Sequence, residues 1–197
     1  MISYLYCHGF ASSPQSVKAQ AFVAWGKARG IEIEPLDLRV PSFEGLLFSE
    51  ILATVRRAID ARGGAGARVV LIGSSLGGLT ACRVAEADPR VGAVFAMAPA
   101  FRLADLWKSR PESERRVHAR FIEELDALDI GLPDVRVPTC IVHGTNDEVV
   151  PVEGSRRWAA GKEHVRLVEV EDSHELLASV PRILAEAGHF LESVRIS

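Results

Sequence analysis

Apolar and polar positions along this chain follow two rhythms. Short β-branched runs of strand length recur at 3–7, 31–36, 68–73, 91–96, 139–143 and 165–170. Between them lie stretches whose apolar residues repeat every three or four positions, predicting helices over 15–29, 43–61, 76–87, 151–160 and 174–193. The first of these follows Ser13-Pro14, read as an N-cap with proline at the first helical position. Strictly alternating strands and helices require crossover connections, so the sheet is expected to be mostly parallel, with helices on both faces. Short strands without a polar face are what a sheet buried on both sides needs.

From 101 to 132 the alternation pauses. This stretch carries Phe101, Leu103, Leu106 and Trp107, then Val117, Phe121, Ile122, Leu125 and Leu128 at helical spacing. Leaving from a strand's carboxyl end, it fits a small lid or pocket wall and, equally, one more helix packed on the sheet. No repeat, low-complexity stretch or linker divides the chain, so 1–197 is read as one domain.

Composition narrows the classes of partner. A formal net charge of −3, with acidic and basic residues mixed along the chain, leaves no footprint for nucleic acid or an anionic membrane surface. No apolar run approaches membrane-spanning length, and the amino terminus opens on a strand pattern instead of a signal peptide, so the expected location is cytoplasmic. Cys7, Cys82 and Cys140 sit singly in apolar stretches without metal-ligand spacing and are read as buried free thiols.

The third strand runs into Gly73-Ser74-Ser75-Leu76-Gly77 and then a helix. A serine on so tight a strand-to-helix turn has strained backbone angles, and the positions two before and two after must lack bulk. Gly73 and Gly77 meet that demand, making Ser75 a candidate nucleophile. The backbone N–H of Leu76, opening the helix, points where negative charge develops in acyl transfer. A glycine-rich turn can instead cradle a phosphate, but these glycines lack the dinucleotide spacing and no Gly-Lys-Ser/Thr follows.

A serine hydroxyl needs an imidazole to take its proton and a carboxylate to hold that imidazole's tautomer. Ligands of such sheets lie beyond the strands' carboxyl ends, so the partners should come from the loops there. The loop after the fifth strand offers Asp147, with Glu148 as an adjacent rival, and the loop after the sixth offers His174, with Asp172 a weaker rival for the carboxylate. His118 and His164 lie in polar segments and are read as exposed, and His189 falls in the terminal helix. The chain order Ser75, Asp147, His174 is that of α/β-hydrolases. The loop after the first strand, His8-Gly9-Phe10, places the Phe10 N–H opposite that of Leu76 as the second oxyanion donor, with His8 a loop-stabilising hydrogen-bonder. The Phe10 ring, Phe101 and Trp107 are candidate walls of a substrate pocket, although ordinary core roles fit them as well.

With these residues in place the chain resembles the α/β-hydrolases over nearly its full length. The opening Tyr4-Leu5-Tyr6-Cys7-His8-Gly9-Phe10-Ala11-Ser12-Ser13-Pro14-Gln15-Ser16-Val17-Lys18-Ala19 is similar to the start of the small bacterial YqiA/YcfP-type esterases. That resemblance implies a three-layer fold with a six-stranded sheet in the order 2-1-3-4-5-6, at most a small lid, and cleavage of a small-molecule acyl ester or thioester. The stretch near Trp107 departs from the usual pattern and bears on the size of that lid. The expected chemistry is a serine esterase or thioesterase working through an acyl-enzyme, with no metal and no organic cofactor. A catalytically silent binding protein of the same fold and an acyltransferase using the same three residues are the alternatives.

Overall fold

The computed structural model describes residues 2–109, 111–113, 118–128 and 131–194, so Val117 lies outside the described residues. Six strands, β1 (Ile2–Cys7), β2 (Ile33–Leu36), β3 (Arg68–Ser74), β4 (Val91–Met97), β5 (Thr139–Gly144) and β6 (Val165–Val170), form one sheet in the order β2-β1-β3-β4-β5-β6. Every neighbouring pair is parallel. Parallel strands cannot be joined by tight turns, and the connections carry α1 (Val17–Lys27), α2 (Phe48–Asp60), α3 (Leu76–Ala87), α4 (Leu103–Lys108), α5 (Ala119–Ala127) and α6 (Glu153–Ala159), with α7 (Val180–Ser193) closing the chain. This is the three-layer arrangement expected.

Side-chain alternation along the central strands divides the core between the two faces. Leu5, Val69, Leu71, Val94, Ala96 and Ile141 join α2 and α3 in one buried cluster, which extends to Phe101, Trp107, Phe121 and Trp158. Tyr6, Val70, Ile72, Phe95, Met97 and Val142 join Phe22 and Trp25 of α1 and Ile183 and Phe190 of α7 in the other. β3 is buried on both faces over Val69–Ser74, as a central parallel strand should be, whereas the edge strand β6 is only half-buried.

Four helices begin later than their apolar periodicity predicts, and local hydrogen bonds give the reason for three. α1 starts at Val17, not 15, because the Ser16 hydroxyl accepts from Ala19 N–H and makes Ser16, in place of Ser13, the cap. α2 starts at Phe48, not 43, because Gly45 N–H turns back onto Ser42 Oγ and Leu47 N–H onto the Val40 carbonyl. α7 starts at Val180, not 174, because the Asp172 carboxylate accepts from both Ser173 and Ser179 N–H and holds the chain between them in turns. α6 starts at Glu153, two residues after the predicted 151. The 174 correction matters most, since it leaves His174 on a loop over the sheet edge.

Within 101–132 the described residues include α4 and α5. α5 packs against α2 and α4, with Glu124 accepting from the backbone N–H of Ser49, as a helix covering the sheet's flank would. Leu103, Leu106 and Trp107 of α4 instead face the cavity beside Ser75.

Candidate active site

Ser75 sits between β3 and α3 with φ 53° and ψ −116°, a conformation that costs a non-glycine residue about 1–3 kcal/mol. The surroundings enforce it. Ser75 N–H donates to the Met97 carbonyl, and the Ser75 carbonyl accepts from Leu79 and Ala100 N–H. A Cβ on Gly73 would lie 2.2 Å from the Gly77 carbonyl oxygen, and one on Gly77 would lie 2.0 Å from the Cys7 carbonyl oxygen. Only hydrogen at both positions lets β3, α3 and the end of β1 come this close.

The three chemistry-bearing side chains meet above this turn. His174 Nε2 is 3.0 Å from Ser75 Oγ, and His174 Nδ1 is 2.7 Å from Asp147 Oδ2. A carboxylate only accepts, so the Nδ1 proton points to Asp147 and Nε2 is left to accept from the serine hydroxyl. Asp147 Oδ1 accepts from Val149 and Val150 N–H at 2.9 and 2.7 Å. Burial alone would raise this carboxyl's pKa, but hydrogen bonds from His143, His174 and the Val150 N–H outweigh it and hold the group well below the usual carboxylate range. The Asp147 side chain is fully enclosed, while that of His174 keeps 18% of its surface exposed. Of the rivals, Glu148 faces solvent and Asp172 serves the loop.

Two supporting residues escaped the sequence reading. His143, buried at the end of β5, places Nε2 3.2 Å from Asp147 Oδ2 and 2.9 Å from the Val150 carbonyl, while Nδ1 meets the Ser155 hydroxyl at 2.8 Å. The carbonyl fixes the proton on Nε2, so His143 offers a second N–H to the carboxylate that holds His174. Its position four residues before Asp147 was the available signal. Gly144 is the other: a Cβ there would meet the Asp172 carbonyl oxygen at 2.3 Å, so the loops carrying Asp147 and His174 touch through backbone.

On the opposite side, His8 is buried and neutral in its hydrogen bonding: Nε2 accepts from Leu38 N–H at 3.0 Å and Nδ1 donates to the Gly9 carbonyl at 2.8 Å. Burial pushes its pKa down. These bonds fix the loop that presents Phe10. Leu76 is the first residue of α3, where a backbone N–H has no acceptor within the helix. Gly9 lies against the elbow: a Cβ there would be 3.3 Å from the Ser74 carbonyl oxygen and 3.4 Å from Ser75 Cβ.

A cavity of about 350 Å³ opens on one side of Ser75 and His174, walled by Phe10, Leu76, Leu103, Leu106, Trp107 and Val150. Phe101, expected in the same wall, is not part of it: the ring stacks on Trp158 at 4.8 Å inside the core. His118 also departs from expectation. It is 7% exposed, its ring 4.9 Å from Phe10, 5.1 Å from Phe43 and 5.5 Å from Trp107. Its polar neighbours in sequence hid a ring contact made across distant segments. His164 is half-buried and reaches the Val135 carbonyl at 2.8 Å. Among the described residues no three His, Cys, Asp or Glu side chains group as a metal site needs, and no helix is long and apolar enough to cross a membrane.

The sequence profile of the uncharacterised protein family UPF0227 matches residues 3–192. No curated protein matches the chain. Among solved structures it is similar to a protein of the α/β hydrolase superfamily from Xanthomonas campestris pv. campestris, with 27% identity over 98% of this chain and 99% of that one and a TM-score of 0.73. It is also similar to Est1E from Butyrivibrio proteoclasticus with ferulic acid bound, at 17% identity, 98% and 89% coverage and a TM-score of 0.85. The mouse α/β hydrolase domain-containing protein 10 shares 20% identity over 96% of this chain and 89% of its own, with a TM-score of 0.79. The fold is therefore that of the α/β hydrolases.

Proposed function

This chain belongs to the UPF0227 family, and from that premise and the geometry of its sheet edge we propose that it is a serine hydrolase cleaving a carboxylic ester or thioester through an acyl-enzyme. The observation that carries this reading is the single imidazole spanning 3.0 Å to a strained serine and 2.7 Å to a buried carboxylate. Ser75 Oγ attacks the carbonyl carbon as its proton passes to His174 Nε2. Asp147 holds the ring in the productive tautomer and stabilises the imidazolium. As the tetrahedral intermediate collapses, the bond to the leaving oxygen or sulfur breaks and His174 returns the proton to that atom. Water then repeats the sequence on the acyl-Ser75 ester, releasing the acid and restoring the hydroxyl.

The N–H groups of Phe10 and Leu76 bind the oxyanion, each such donor being worth about 3 kcal/mol in the transition state. The acyl chain lies against Phe10 and Trp107, with α4 as a pocket wall within a single domain. Three buried, unpaired thiols are what a reducing compartment permits, and the cytoplasm is the proposed place of action.

A Ser75→Ala variant should lose turnover of p-nitrophenyl butyrate, and a fluorophosphonate should label Ser75 in the wild type only. Undiminished turnover in the variant would sink the reading. Absent labelling of well-folded wild-type protein would point instead to a silent binding protein.

A further inference from the structure

Ser75 and His174 stand between two cavities that differ in polarity. The one walled by Leu103, Leu106 and Trp107 is apolar. The other, of about 290 Å³, shares Phe10, Ala11, Ser75 and His174 with it but continues past Ser12, Ser16, Lys18 and Glu175.

Lys18 is the only lysine or arginine in that lining. Its Nζ donates to the Glu175 backbone carbonyl at 2.6 Å, the residue after His174, and it forms no ion pair among the described residues. An ammonium carries three protons, so two remain for another acceptor. Burial pushes its pKa down, against the attraction of Glu175, Asp172 and Asp147, which is the condition of a cation drawn partly out of water without a bonded anion. A surface lysine commonly lays its stem on apolar surface and keeps its head in water. Here it is half-buried and tied beside the base.

We propose that this second cavity is the leaving-group subsite and that Lys18 selects leaving groups bearing a carboxylate or phosphate, while the acyl chain occupies the apolar cavity. This rests on the serine-hydrolase reading. His174 lines both cavities, so it reaches a leaving atom placed on this side. Glu175 lines the same cavity, and its negative charge, which acts on Lys18, limits the discrimination.

Three butyrate esters of matched phenols test it, with a carboxamide, a carboxylate or a phosphate at the meta position. The quantity read is the ratio of kcat/KM for each anionic ester to that of the neutral carboxamide. The wild type should favour at least one anionic ester by about tenfold, as a hydrogen bond to a charged group provides, and the two anionic arms decide between carboxylate and phosphate. Lys18→Met should bring the ratio to about one, Lys18→Glu should invert it, and Lys18→Arg should keep it above one. Wild-type ratios near one for both anions, or a ratio unmoved by Lys18→Met, would overturn the subsite. Fluorophosphonate labelling of Ser75 separates the two claims: labelled protein without charge preference overturns the subsite alone, and unlabelled protein overturns the hydrolase reading and the subsite together.

Discussion

The elbow that carries Ser75 and the stretch that walls its apolar cavity are neighbours held by different physics. At the elbow, backbone meets backbone: the Cβ positions of Gly73 and Gly77 fall within 2.2 Å of carbonyl oxygens, and no side chain can intervene. In the wall, rings meet rings, with Phe10 5.0 Å from Trp107 and Trp107 6.1 Å from Phe121. Backbone approach of that kind has no room to relax, whereas ring contacts between separate elements can repack at a cost of about 1–3 kcal/mol. The elbow is thus fixed more tightly than the cavity wall beside it.

The largest expected effect separates chemistry from both supports. Asp147→Asn should lower kcat/KM on p-nitrophenyl butyrate by on the order of 10³–10⁴ through loss of the imidazole's orientation and charge partner. Because the folded carboxyl is held below its ordinary range, the stability it contributes is present at neutral pH. That contribution is lost progressively as pH falls below about 4. Urea titrations at neutral and acid pH should therefore show the gap between wild type and Asp147→Asn closing on acidification; a gap independent of pH would contradict the assignment.

Gly77→Ala attacks the elbow itself. Its methyl would stand 2.0 Å from the Cys7 carbonyl oxygen, so the end of β1 must move. The cost should exceed about 3 kcal/mol, seen in calorimetry as a Tm lowered by at least about 6 °C. A Tm within a degree of wild type would show that the two regions do not differ in rigidity as argued.

Trp107→Ala attacks the wall. Trp107 is 7% exposed, but one side already faces a cavity, so a cost of about 2 kcal/mol is expected, below the usual 3–5 kcal/mol for a fully enclosed tryptophan. The longer cavity should raise the octanoate-to-butyrate ratio of kcat/KM about tenfold. An unchanged chain-length profile would remove Trp107 from the acyl site. Gly131→Ala is the counterpart of Gly77→Ala, since nothing lies within 4 Å of its Cβ position. Thermal unfolding should shift by the equivalent of less than about 0.5 kcal/mol.

Much of this site could be read from the chain because its demands are local. Two glycines flanking Ser75, and Asp147 and His174 each placed just beyond a strand, follow from what a tight turn and a parallel sheet require. What escaped depended on contacts between distant segments. Phe101 was expected beside the cavity, but Trp158, from a later crossover, takes its ring into the core. His118 was expected in solvent, but Phe10, Phe43 and Trp107 enclose it. The late start of the helix expected from 174 is a local exception: the Asp172 carboxylate takes the N–H groups of Ser173 and Ser179.

The alternation, the strained serine and the order of Asp147 and His174 after it are legible in the chain, because periodicity, glycine spacing and chain order need no knowledge of distant contacts. Only the folded chain shows that His143 braces Asp147, that Lys18 stands beside His174 with no ion pair among the described residues, and that Ser75 lies between an apolar cavity and a less apolar one that holds Lys18. Apart from His143 and Asp147, which are four residues apart, these are relations between residues distant in the chain, and only the folded sheet brings them within reach of one another.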